Sequence, residues 1–189
     1  MLAPHSLTRL LDPSPPMEMD LSGTPPMTVV GLGEARALRA QPGQADCLVA
    51  YGLGSCVVVC LWDAVARVAG MAHVVLPGAD PTGAPNPKFA RSVLPALFAL
   101  MQAQGAGADP RRYVARLAGG AQVLTVDGPG SLPRIGEQNS VALQEALAAA
   151  GVPVQATDLG GSKGRSVWFD PREGGQIRVR AVGSRERYL

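Results

Sequence analysis

Two apolar runs, Val57-Val58-Val59-Cys60-Leu61-Trp62 and Val68 to Leu76, constrain the fold of this chain more than any other feature. The first is β-branched along most of its length, the pattern of a buried strand. The second returns after Asp63-Ala64-Val65-Ala66, a plausible turn without the Asn-Gly or Asp-Gly that marks the tightest hairpins. Centring the hairpin between Ala64 and Val65 pairs residues 56–62 with 67–73 and sets Cys56 directly opposite His73. Opposed residues on antiparallel strands share a face, with Cβ atoms about 5 Å apart. A one-residue slip would send His73 to the other face.

The remaining elements follow from the same kind of pattern. Met27 opens an extended run, and Cys47 to Tyr51 is a short strand punctuated by Gly52-Leu53-Gly54-Ser55. After a loop over 79–87, a helix is expected from Lys88 to Gln104, with Phe89, Val93, Leu97, Leu100 and Met101 at helical spacing and a kink at Pro95. Val114 to Leu117 reads as a strand entering Gly119-Gly120-Ala121. A second helix is expected from Gln138 to Ala150, capped by Asn139 or Ser140 and stopped by Gly151. Val152 to Asp158, Ser166 to Asp170 and Ile177 to Val182 read as strands. Strands outnumber helices without regular strand–helix–strand alternation, which favours an α+β fold over a doubly wound sheet. Pro4, Pro13, Pro15, Pro16, Pro25 and Pro26 crowd residues 1–26, which are expected to form a flexible tail before a domain at 27–189.

Composition removes several classes of function. The net charge is +2 and no basic run exceeds Arg111-Arg112, which argues against a nucleic-acid surface. No stretch is apolar for the roughly 20 residues that a membrane helix needs, and without a basic n-region followed by an apolar h-region a secretory signal is not expected. The three cysteines, Cys47, Cys56 and Cys60, lack framework spacing and are expected as free thiols in a reducing cytoplasm. Cys56 and Cys60 would lie about 13 Å apart on one strand, too far to bridge or to share a metal ion, and no CxxC pair exists.

Of the two histidines, His5 lies in the Pro-rich stretch and His73 inside an apolar strand, so any histidine chemistry in the domain must use His73. Paired with Cys56 it has the makings of a cysteine–histidine nucleophile. Gly52, Gly54 and Ser55 allow a sharp turn whose backbone N–H groups could hold an oxyanion beside the thiol. A nearby imidazolium would also lower the cysteine pKa. Each feature has a plainer explanation: a buried hydrophobe for the cysteine (the reading given to Cys47 and Cys60), a satisfied core histidine, and a simple turn. Neither a GxGxxG nor a P-loop is present to make the glycines a phosphate cradle.

Ordered blocks across residues 28–182 bear on this choice. Gly52-Leu53-Gly54-Ser55-Cys56-Val57 and Gly70-Met71-Ala72-His73-Val74-Val75-Leu76-Pro77 are followed by Lys88-Phe89-Ala90, Gly119-Gly120-Ala121, Ile135-Gly136-Glu137-Gln138-Asn139, and Asp158-Leu159-Gly160-Gly161 with Gly164-Arg165. This series resembles the CheD family of chemoreceptor glutamine deamidases. The resemblance implies a β-sandwich-like core of mixed and antiparallel strands with helices outside, similar to the catalytic domain of cytotoxic necrotizing factor toxins. It implies Cys56 as nucleophile and His73 as its base, with backbone support at Gly54 and Ser55 and no metal or organic cofactor. The substrates implied are glutamines, and in some members methyl-glutamates, on chemoreceptor cytoplasmic helices. A CheC-type phosphatase is the implied partner. The family usually carries a threonine six residues before the cysteine, and Ala50 stands there instead. That departure motivates an alternative, a CheD-like adaptor binding CheC or receptors with little catalysis. A cysteine hydrolase acting on another amide is a third option.

Overall fold

A computed structural model describes residues 26–41, 46–123 and 134–189; the expected tail lies outside these except at Pro26, whose carbonyl accepts the Cys47 N–H. In chain order the elements are β1 (Met27–Val29), β2 (Ala35–Arg39), β3 (Cys47–Leu53), β4 (Val57–Asp63), β5 (Val68–Val74), α1 (Val93–Ala103), β6 (Tyr113–Gly119), α2 (Ile135–Ala149), β7 (Val154–Leu159), β8 (Arg165–Phe169), β9 (Arg178–Ala181) and β10 (Arg187–Tyr188). They form two five-stranded sheets, ordered β1-β3-β8-β9-β10 and β2-β5-β4-β6-β7. The β1–β3 and β6–β7 pairs are parallel and the others antiparallel. The α+β class and mixed sheets match the expectation. No helix among the described residues is long and apolar enough to cross a membrane.

Why β4 is apolar at consecutive positions is visible in the layering. Val57, Val59 and Leu61 pack under the helices against Leu97, Met101, Leu143 and Leu147. Val58, Cys60 and Trp62 face the second sheet, against Leu48, Val167, Phe169 and Val179. A central strand covered on both faces has no solvent side on which to alternate. The second sheet's far face is thinner, with Cys47, Val49 and Trp168 clustered under the guanidinium groups of Arg178 and Arg180.

The hairpin register differs from the expected one. Val58 pairs with His73 and Val57 with Val74, so Cys56 is not directly opposite His73. The cause is Asp63, which belongs to β4 instead of the turn. Its carboxylate accepts the N–H groups of Val65 (3.0 Å) and Ala66 (3.1 Å), and closes a turn over Ala64–Arg67 with Arg67 at φ 55°. The pairing therefore shifts by two residues, an even step that leaves every side chain on its own face.

Asp63 is fully buried and also accepts from Gly107 N–H (2.9 Å) and Arg112 (3.1 Å). Burial alone would raise its pKa, but these donors outweigh it and hold the carboxyl below the usual range. A depressed folded pKa contributes stability that is present above the unfolded value of about 3.9 and is lost as pH falls through the folded value. Asp63→Ala is expected to cost about 3–5 kcal/mol at pH 7. Urea denaturation should show the gap from wild type narrowing below about pH 4. A gap that stays constant down to pH 3 would sink this account.

The helices also start elsewhere than expected. α1 begins at Val93 because Asn86, Asp80 and Ser92 fold the preceding segment into a bonded loop: Asn86 donates to Asp80 (2.6 Å), and Ser92 Oγ accepts the Asp80 N–H (2.9 Å). Pro95 consequently falls in the first turn, where an N–H would have no helical partner. α2 begins at Ile135, so Asn139 and Ser140 lie inside the helix and Arg134 takes the cap position. Two short edge strands, β2 and β10, had no distinct signal in the sequence.

Candidate active site

His73 is held on three sides by the turn between β1 and β2. Its N–H donates to Glu34 O and its carbonyl accepts from Gly33 N–H, both at 2.9 Å. Its ring Nδ1 lies 3.2 Å from the carbonyl oxygen of Val30. A carbonyl only accepts, so Nδ1 carries the ring proton and Nε2 presents its lone pair. Nε2 is buried and has no hydrogen-bond partner among the described residues. Burial pushes the imidazole pKa down, and the bond to Val30 only partly opposes this, so the net shift is downward.

Cys56 follows the bend between β3 and β4. All three carbonyls of Gly54, Ser55 and Cys56 are tied: Gly54 O accepts from Ala121 N–H (2.7 Å), Ser55 O from Asn139 Nδ2 (3.0 Å), and Cys56 O from Gly120 N–H (2.8 Å). Among the described residues, no bond from the N–H groups of the same three residues to another residue is seen. The planes that carry the Ser55 and Cys56 N–H groups are thus fixed through the Gly54 and Ser55 oxygens, while those two donors have no other residue as partner among the described residues, as an oxyanion site would require. The thiol is half-buried and packs on the inter-sheet core with Val58 and Cys60. Val58 is the direct partner of His73, so thiol and imidazole share the inter-sheet face in a diagonal relation, about 7–8 Å at Cα in regular strands.

The electrostatics correct one expectation. Burial raises the Cys56 pKa, with its own N–H offering partial relief, while the His73 pKa is lowered. Both shifts favour neutral thiol and neutral imidazole, so no resting imidazolium activates the sulfur. With both shifts toward the uncharged forms, attack by the sulfur requires the proton to move to the imidazole. Cys47, pushed up to about 11 by burial, and Cys60, pushed up by complete burial, are the small core residues they were read to be.

Two contributors had escaped sequence reasoning. Val30 acts through its backbone, which no side-chain pattern reports. Asn139 is completely buried and donates to both Ser55 O and Val75 O at 3.0 Å. Its signal in the sequence was a polar residue on the apolar face of a helix. The helix reaches this far because Gly136 meets Gly120 in backbone contact that a side chain would block. Ala50 is fully buried between the sheets and supplies no hydroxyl; the orienting acceptor for the histidine ring is the Val30 carbonyl. Among the described residues, no group of three or more His, Cys, Asp or Glu is placed to hold a metal ion.

Residues 75–181 match the family model described as CheD chemotactic sensory transduction. Three similar curated proteins share the name "Probable chemoreceptor glutamine deamidase CheD". That of Moorella thermoacetica is 39% identical over 158 residues, covering 82% of this chain and 90% of that protein. The Symbiobacterium thermophilum protein is 38% identical over 166 residues, 86% of this chain and 97% of its own. The Syntrophomonas wolfei protein is 36% identical over 146 residues, 76% of this chain and 89% of its own. Positions 56 and 73 precede the family-model match, but fall inside alignments that cover so much of the chain.

Proposed function

The chain belongs to the CheD family, and on that premise we propose that it deamidates selected chemoreceptor glutamines with Cys56 as nucleophile and His73 as general base and acid. One observation carries the assignment of roles. The Val30 carbonyl fixes the His73 tautomer and leaves a buried Nε2 lone pair with no partner among the described residues, on the face that Cys56 shares.

His73 Nε2 takes the Cys56 proton as sulfur attacks the glutamine side-chain carbonyl carbon. The oxyanion is received by N–H groups of the Gly54–Cys56 bend. As the tetrahedral intermediate collapses, the C–N bond breaks, His73 gives its proton to the leaving nitrogen, and ammonia departs from a thioester. Water, deprotonated by the same imidazole, then attacks the thioester; the C–S bond breaks and releases glutamate and the free thiol. The sum is glutamine plus water giving glutamate plus ammonia, a protein-glutamine amidohydrolase reaction that needs no cofactor.

The relatives' names favour an enzyme over the adaptor alternative, and Val30 O makes the orienting bond that Ala50 cannot. The family reading also assigns receptor cytoplasmic helices as substrate, a CheC-type phosphatase as competing partner, and the cytoplasm as the place of action. Intact-mass analysis of receptor helices incubated with the protein should show a gain of about one dalton per modified glutamine, matched by equimolar ammonia. Receptor helices of unchanged mass after exhaustive incubation would overturn the proposal.

A further inference from the structure

The β4–β5 ladder stops one rung short of the nucleophile. Its last pair is Val57 with Val74; Cys56 and Val75 would come next, but the Val75 N–H turns away to Lys88 O (3.0 Å). Ser55 O and Val75 O, acceptors on the two diverging chains, both receive Asn139 Nδ2 at 3.0 Å. Because both neighbours are acceptors, the nitrogen of the amide must face them, and its two hydrogens are fully used. Asn139 Oδ1 is left buried without a partner among the described residues, a costly arrangement for an amide whose donors alone are in use. The side chain is anchored in turn by its helix. Gly136 abuts Gly120, whose N–H holds the Cys56 carbonyl, and Ser140 Oγ donates to Gly136 O (2.8 Å).

From this we infer that Asn139 is a positioning residue for the Cys56–His73 pair. One residue after Ser55 is the thiol, and two residues before Val75 is the imidazole. The two carboxamide hydrogens therefore set the separation of nucleophile and base where the strand ladder no longer does. The inference rests on the roles proposed for Cys56 and His73. Asn139 touches neither sulfur, ring nor substrate, and acts through two main-chain oxygens.

The test uses two readouts on the full chain. Iodoacetamide alkylation of the Cys56-containing peptide, followed across pH 5–10, reports general-base help from His73 without any receptor. Deamidation of receptor helices gives kcat and KM. Asn139→Asp keeps the shape but removes both donors. It should lower kcat about 10- to 100-fold with KM within about twofold, and bring the alkylation profile to that of His73→Ala. Combined with His73→Ala it should add nothing further to the alkylation change, because both act through one pair. A folded Asn139→Asp with native kcat and native alkylation overturns the inference, as does an additive double variant. Should the aspartate fail to fold, Asn139→Gln keeps the donors but displaces them by one methylene. It should still lower kcat about tenfold, and a native value overturns the inference equally. If His73→Ala itself leaves alkylation unchanged, the pair falls and this proposal with it; if only Asn139→Asp is silent, the pair stands and this proposal alone falls.

Discussion

Cys56→Ala is expected to abolish deamidation outright, whereas His73→Ala should lower kcat by about a hundred- to ten-thousandfold and leave activity that rises with pH. The difference follows from the resting state of the pair. Without the sulfur no thioester forms, and no other thiol can replace it, since Cys47 and Cys60 are buried. Without the imidazole the thiol must ionise by itself, and burial has moved its pKa above the ordinary cysteine value of about 8.5. Residual activity should therefore climb about tenfold per pH unit through neutrality. Wild type should behave differently. It needs neutral His73, whose pKa burial lowers, so its acid limb should fall below about 6.5 and its rate should be flat through pH 7. The measurement is kcat/KM on a receptor fragment from pH 5 to 10. A wild-type profile climbing through pH 8 to 9 like that of His73→Ala would show that His73 is not the base.

Gly119→Ala should be strongly destabilising. Gly119 sits at φ 125°, a conformation that L residues rarely adopt, and an added Cβ would strike Cys56 O and approach Val57 Cα within 2.9 Å. Both obstacles are backbone, so neither can swing away as a side-chain end would. The strain and the collision together should cost about 3–5 kcal/mol in urea denaturation. Relief that pushes the Cys56 carbonyl off Gly120 N–H would displace the thiol and should lower kcat about a hundredfold in the molecules that remain folded. Gly174→Ala is the matched control. It too has positive φ, 67°, but nothing lies within 4 Å of the new methyl, so it should cost only about 1–2 kcal/mol and leave kcat unchanged. Equal effects of the two substitutions would mean that the contact with Cys56 is of no consequence.

The candidate pair was legible in the sequence alone. His73 stood out as the one histidine in an apolar strand, and Cys56 as the one cysteine beside a glycine-rich bend. Their common face survived a register error because the error was even, and strand parity repeats every two residues. Direct opposition did not survive. Register depends on how Asp63 bonds the turn, and that bonding draws on Gly107 and Arg112 more than 40 residues away. The expected N-cap of the second helix failed for a related reason, while its stop at Gly151 held. Asn139 and Ser140 have the chemistry of cap residues, but a buried amide serving two distant carbonyls is satisfied better inside the helix than at its end.

By itself, then, the sequence pointed to which strands are buried, to an α+β class rather than a wound α/β unit, and to one thiol and one imidazole as the candidates for chemistry. Periodicity, propensity and scarcity are local properties, and they persist in whatever register the chain adopts. Tertiary structure alone decided the tautomer of His73, through a carbonyl 43 residues upstream, and the shift of the pair toward its uncharged forms, through burial between sheets. It also decided the clamp at Asn139, across 84 and 64 residues of chain. Backbone oxygens carry no residue identity, and burial belongs to the assembled layers, so neither is written in any local pattern of side chains.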